Sequence, residues 1–208
     1  MKVVIVTVPM KRSDKIEPVL YPVDGNKAVE YGKPVRCPVN GILAKTLEKG
    51  EQVKVIHIVT TGENSECEEN KRNFITELEE INSEIEAVLS YETIEIPFLP
   101  TKQTYNRLLT DLSDKIPDNA EIYVDITYGH KPEILSLFCA FRFVEEFRDA
   151  LVQYVVYGKV EFNPKTGKIE HPMLFDITSL YYLFKLIGTI SAADAESASK
   201  ILQDFFAL

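Results

Sequence analysis

Apolar residues in this chain come either as short unbroken runs or as longer stretches with an apolar position every third or fourth residue. Residues 3–8, 53–60, 93–96, 120–126 and 151–157 are runs rich in Val, Ile and Tyr, with the length of buried strands. Between them, residues 40–49, 65–89, 101–116 and 132–148 carry the helical spacing, the first closed by Gly50 and the third by Pro117. Strand and helix alternate, which is the pattern of parallel strands joined by crossover helices. The predicted fold class is α/β: a Rossmann-like doubly wound, mainly parallel sheet.

Two features go beyond that scheme. Residues 9–38 form a stretch rich in Pro, Gly, Lys and Asp, much longer than the two to six residues usual for a strand-to-helix loop. Later, V-E-F-N-P-K-T-G-K-I-E-H puts two extended segments around an N-P-K-T-G-K turn, which predicts an edge β-hairpin. It is read equally well as surface decoration or as functional. Two C-terminal helices follow, with Thr178 or Ser179 and Asp194 as N-cap candidates. The expected organisation is a Rossmann-like ligand-binding domain over 1–175 and a helical extension over 176–208. The extension ends on F-F-A-L, apolar residues that call for a dimer surface or a following effector domain.

Composition narrows the classes. With 45% hydrophobic and 26% charged residues, the chain has the make-up of an ordinary globular protein. No apolar segment approaches the roughly 20 residues needed to span a bilayer. Cys37, Cys67 and Cys139 are scattered, with no C-x-x-C pair, and M-K-V-V-I-V is strand-like rather than a signal peptide, so a cytoplasmic setting is expected. The net charge of -9 argues against duplex nucleic acid as a partner. A DNA-reading pair of C-terminal helices fits poorly, because Lys185 and Lys200 are the only basic side chains from Asp176 onward. A small anion needs only a local positive pocket.

In an open parallel sheet, ligands bind beyond the carboxyl ends of the strands. The residues there are Thr7, Val8, Pro9, Met10 and Lys11 after the first strand, Thr60, Thr61 and Gly62 through Asn64 after the second, 97–102 with Lys102 after the third, and 125–131 after the fourth. They are rich in hydroxyls, small residues and lysine, and helix N-termini among them favour anions. The fourth junction, Y-V-D-I-T-Y-G-H-K-P-E, is the most distinctive: a buried strand ends in D-I-T, bends at Gly129 and restarts as a helix near Pro132. Dinucleotide and P-loop chemistry lack their motifs, since V-T-V-P-M stands where G-x-G-x-x-G would be and no G-x-x-x-x-G-K-[ST] occurs. Neither a cofactor nor a metal site is predicted, with His57, His130 and His171 far apart, and there is no G-x-S-x-G to begin a nucleophilic triad.

The D-I-T-Y-G-H-K-P junction resembles the second ligand-binding motif of CARF domains, the Rossmann-like sensors of type III CRISPR systems, in the subgroup whose motif runs D-[IVL]-T-[HY]-G-x-[RK]. P-V-N-G-I-L-A-K-T-L is similar to that family's first helix, I-P-F-L-P-T-K to its third crossover, and L-F-D-I-T-S-L-Y-Y-L-F to the helix after its hairpin. Together these stretches cover nearly the whole chain.

The resemblance implies a homodimer that binds a cyclic oligoadenylate, tetra-adenylate favoured over hexa-adenylate, across its two-fold axis. It implies that Thr7 to Lys11 lie over the ring and that Thr127, Tyr128, Gly129, His130 and Lys131 hold phosphates and riboses. Asp125 is expected to serve the loop's N–H groups instead. Tyr128 has two readings, a base-stacking ring or a core-facing aromatic at a strand end, and His130 is a phosphate donor, a stacking ring or a lone surface histidine. Thr127 and Lys131 are expected to be exposed. Some such domains cleave their ring without metal by attack of a ribose 2′-OH, for which Lys131, Thr127 and Lys11 are the candidate catalytic residues. The first-strand loop departs from the family, offering Ser13 only late. No Arg is followed by His in the R-x(4-6)-H spacing of the usual RNase partner domain. The alternatives are a stand-alone ring nuclease that ends signalling and a CARF-type transcriptional regulator.

Overall fold

A computed structural model describes residues 1–10, 16–62, 66–163, 165 and 169–206, leaving aside the side chains of Phe162 and Phe206. Lys11, Arg12, Ser13, Asn64, Ser65, Ala207, Leu208 and most of the N-P-K-T-G-K turn lie outside the described residues. The chain divides into two compact units, Met1–Thr178 and Ser179–Leu208.

The first unit is built on β1 (Lys2–Thr7), a strand buried along its whole length. Val4 and Val6 point into a core formed with helices α1 (Pro38–Thr46) and α2 (Cys67–Asn82), while Val3 and Ile5, alternating with them, are equally buried on the opposite side. A run of apolar residues with no polar face is what a strand covered on both sides requires.

The order across the described sheet is β2-β7-β6-β5-β1-β3-β4, with β2 at Val23–Asp24, β3 at Gln52–Thr61, β4 at Val88–Pro97, β5 at Glu121–Asp125, β6 at Leu151–Phe162 and β7 at Ile169–Asp176. The strands β4, β3, β1, β5 and β6 run parallel, and β7 turns back antiparallel to β6 as the hairpin predicts. The Rossmann-like α/β architecture is therefore present. Helices α3 (Lys102–Lys115) and α4 (Lys131–Phe147) pack together, as do α1 and α2.

Three differences from the pattern-based reading have local causes. Helix α2 stops at Asn82, not 89, because the Asn82 amide bonds both the N–H and the carbonyl of Ala87 (2.9 Å each). Glu86 then turns through a left-handed conformation (φ 67°). The freed residues lengthen β4 to ten residues, all paired in register with β3. Within the long 9–38 stretch, Val19 and Val35 form a bridge, and β2 pairs parallel with Leu174 and Phe175 of β7. The hairpin thus lies one short strand in from the sheet edge.

The second unit holds the rest of α5 (Thr178–Ile187) and α6 (Ala195–Phe206). The Asp194 carboxylate accepts from the Ser197 N–H (2.8 Å), the N-cap expected for α6. At α5 it is Asp176 that accepts from both the N–H and the hydroxyl of Thr178 (3.1 and 2.6 Å). No helix among the described residues is long and apolar enough to cross a membrane.

Candidate functional site

β1 has β3 on one side and β5 on the other, both parallel to it. After β1 the chain leads to α1 on one face, and after β5 it enters α4, which packs with α3. The strand order therefore reverses between β1 and β5, and their carboxyl ends diverge into a crevice, the position where open α/β sheets bind ligands. The β5–α4 turn and the exit of β1 meet there.

Asp125 anchors the turn from beneath. It is buried, and its carboxylate accepts from the Thr127 N–H (2.8 Å) and from the Val39 N–H (3.2 Å). The latter is a first-turn donor of α1, whose N-cap Cys37 makes no side-chain capping bond, so Asp125 of another strand supplies what the cap lacks. Burial raises its pKa, while the Thr127 and Val39 donors pull it back toward the ionised form. The loop-serving role expected of Asp125 matches this geometry.

Thr127 is half-buried rather than exposed, because its hydroxyl oxygen accepts from the Gly158 N–H of β6 (2.8 Å). Tyr128 is also half-buried, and its phenol lies within electrostatic reach of Tyr21, Cys37 and Asp125, with burial pushing its pKa far up. The Tyr128 carbonyl accepts from the Thr7 hydroxyl (2.5 Å), which ties β1 to the turn. Gly129 has φ 96°, and a Cβ there would fall 2.5 Å from Glu133 Oε2 and 3.1 Å from Thr7 Cβ, so both backbone and space demand glycine. His130 is the N-cap of α4, its ring edge-on to Phe98 (6.4 Å), with Nε2 buried and unpartnered. Lys131, the first residue of α4, is exposed.

Glu133 is the surprise of the turn. Its side chain is almost wholly enclosed, 1% exposed, and Oε1 has no hydrogen-bond partner among the described residues. Burial pushes its pKa up from 4.5 to about 7, against a smaller opposing effect of the His130 backbone N–H. A Glu three residues after a helix N-cap is a common capping residue and ordinarily lies in water, so K-P-E alone does not announce a buried acid. The N-cap spacing marks it as a first-turn acid and nothing more.

On the β1 side, Thr7, Val8 and Pro9 are buried and Met10 is half-buried. The Val8 N–H donates to Ile58 (2.9 Å), and the Pro9 carbonyl accepts from the Asn70 amide of α2 (2.7 Å). A cavity of about 350 Å³ opens here, lined in part by Pro9, Met10, Tyr21, Thr127, Tyr128 and Gly129. Tyr157, Gly158 and Lys159 of β6 also line it, as do Ile16 and the acidic Glu17. Tyr157 ends the fifth predicted strand and Gly158 and Lys159 follow it, so the rule that located the other junctions reaches those two as well.

Thr60, Thr61, Gly62 and Lys102 do not line this cavity. Thr60 is buried, while Thr61, Gly62 and Lys102 are exposed. The Thr61 carbonyl accepts from the Phe98 N–H (2.8 Å), and a Cβ at Gly62 would fall 2.9 Å from Phe98 Cβ. Through Phe98 and its contact with His130, the β3 and β4 ends thus join the turn's far side. Lys131 and His130 also stand outside the cavity lining. Among the described residues, no group of three or more His, Cys, Asp or Glu is arranged to hold a metal ion. No protein-family model and no curated protein matches this chain.

Proposed function

We propose that the chain is a CARF-type sensor whose homodimer binds a cyclic oligoadenylate across the two-fold axis in type III CRISPR antiviral defence. The observation that carries the reading is the meeting, at the sheet's switch point and around one cavity, of the D-I-T-Y-G turn and the exit of β1. The start of α4, where Pro132 carries no N–H and the Glu133 N–H donates to the His130 carbonyl (2.9 Å), still presents the positive end of the helix beside exposed Lys131, a setting suited to phosphate. About 350 Å³ lies at the small end of the roughly 300–1,000 Å³ of pockets enclosing a drug-sized molecule. A ring of four nucleotides exceeds such a molecule, so each copy would hold part of it, and the small cavity favours four adenylates over six.

Calorimetry with cyclic tetra-adenylate and cyclic hexa-adenylate, with mass spectrometry of each ring afterwards, tests the reading. One tetra-adenylate ring per two chains is expected. Linear products would add slow metal-independent cleavage by 2′-OH attack, with Lys131, Thr127 and Lys11 as the residues to substitute. Failure of both rings to bind would remove the sensor function.

A further inference from the structure

The carboxyl of Glu133 sits directly under the turn. Gly129 lines the cavity and Glu133 does not, and a Cβ on that glycine would fall 2.5 Å from Glu133 Oε2. Oε1 is buried and unpartnered among the described residues, an arrangement that is costly unless a partner arrives. The groups facing it are Tyr105 of α3, whose phenol senses the Glu133 charge, the hydroxyl-bearing but uncharged Thr7 of β1, and on its own turn His130 and exposed Lys131. No ion pair to Glu133 occurs among the described residues. An ionised carboxylate in this position would repel an anion at the head of α4, whereas the neutral acid carries an O–H that an anionic oxygen accepts.

We propose that Glu133 acts in its protonated form as a hydrogen-bond donor to an anionic oxygen held at the Gly129 turn, so that the site takes up a proton together with its phosphate. The balance is simple: one proton moves from solvent to the carboxylate, and no covalent bond of the ligand changes. The raised value of about 7 for this carboxyl puts the exchange in the range where cells operate. The opposite assignment, a carboxylate accepting from a ligand amine, would release a proton or exchange none.

For the cyclic ring, the inference rests on the sensor reading; for the anion site itself it does not. The experiment therefore has two arms on the full chain. In the first, cyclic tetra-adenylate is titrated at pH 7.5 in buffers of different ionisation enthalpy, and its affinity is followed from pH 6 to 8.5. Roughly half a proton or more taken up per site is expected, with affinity falling by up to about tenfold per pH unit above 7. Glu133→Gln, whose amide keeps a donor at every pH, should take up none and bind at pH 8.5 about as tightly as the parent does at pH 6. In the second arm, the ¹³C resonance of the Glu133 carboxyl is titrated with and without inorganic sulfate, whose charge is constant over this range. Sulfate should move the midpoint upward.

Ring binding without proton uptake, or with release, overturns the inference and leaves the sensor reading standing. No ring binding, with the midpoint raised by sulfate, overturns the sensor and leaves the inference. A midpoint that sulfate leaves in place or lowers, when no ring binds, overturns both.

Discussion

The two ends of β1 treat buried polar groups in opposite ways. At its start, Lys2 is 2% exposed, yet its ammonium is fully occupied, donating to the Thr46 carbonyl (2.5 Å) and to Glu51 (2.9 Å) over the Tyr123 ring. At its finish, Thr7 ties down a turn in which Glu133 Oε1 and His130 Nε2 are buried without partners among the described residues. A closed arrangement stabilises a fold. An open one beside a crevice is the kind of arrangement a ligand can complete, and the contrast supports the carboxyl end as the proposed site.

The largest effect that would break this contrast belongs to Lys2. Lys2→Ala removes a buried charge from satisfied partners and should lower stability by roughly 3 kcal/mol in urea unfolding. Ring affinity in the remaining folded protein should be unchanged; a loss of affinity would mean that the two ends are not separable.

A second, comparable effect comes from pH. Glu133 has its pKa raised to about 7, so the folded state keeps a proton that the unfolded chain releases near 4.5, and stability falls as pH rises through that window. His57, buried in mid-β3 between Phe74 and Tyr91, is lowered by burial from 6.5 to about 4, so its contribution rises with pH over nearly the same range. Each amounts to about 3 kcal/mol at most, and in the parent chain they offset one another. Glu133→Gln should therefore expose a stability that rises between pH 4.5 and 6.5, and His57→Phe one that falls, as read from urea midpoints at each pH. Parallel profiles for all three proteins would contradict the assignment.

Smaller in stability but decisive for binding is Gly129→Ala. The left-handed backbone and the crowding by Glu133 and Thr7 should cost about 1–3 kcal/mol and abolish ring binding. Full affinity in that variant would show that the turn tolerates a side chain where no room exists. The smallest change is Lys131→Ala, exposed and without an ion pair among the described residues, which should leave stability within about 0.5 kcal/mol while weakening the ring several-fold. Thr127→Ala differs from it, because it also removes the acceptor of the Gly158 N–H and should cost about 1 kcal/mol.

The sheet was legible where side chains obey one period. The valines and isoleucines of β1, β3 and β5 and the turn at Gly129 could be placed from the sequence, as could the role of Asp125. What escaped depends on distant groups. Val23 and Asp24 become a strand only because β7 passes beside them and Glu30 accepts from the Val23 N–H (2.8 Å). Residues 83–89 continue the apolar spacing of α2, and only the Asn82 amide and the left-handed Glu86 stop the helix. Glu133 looks like any first-turn acid until α3 and β1 close around it.

The final position of β4 in the strand order has a consequence for the protein at high concentration. Its ten residues pair with β3 on one side only, so a long row of backbone donors and acceptors faces outward, the kind of template on which chains stack into aggregates. Glu92 and Glu95 stand along it, Glu92 held by Lys54 and Lys115, and Pro97 ends it without a donor. A second chain adding in register would bring one Glu95 carboxylate against another and set the Glu92 ion pairs side by side, which opposes lengthening of this border.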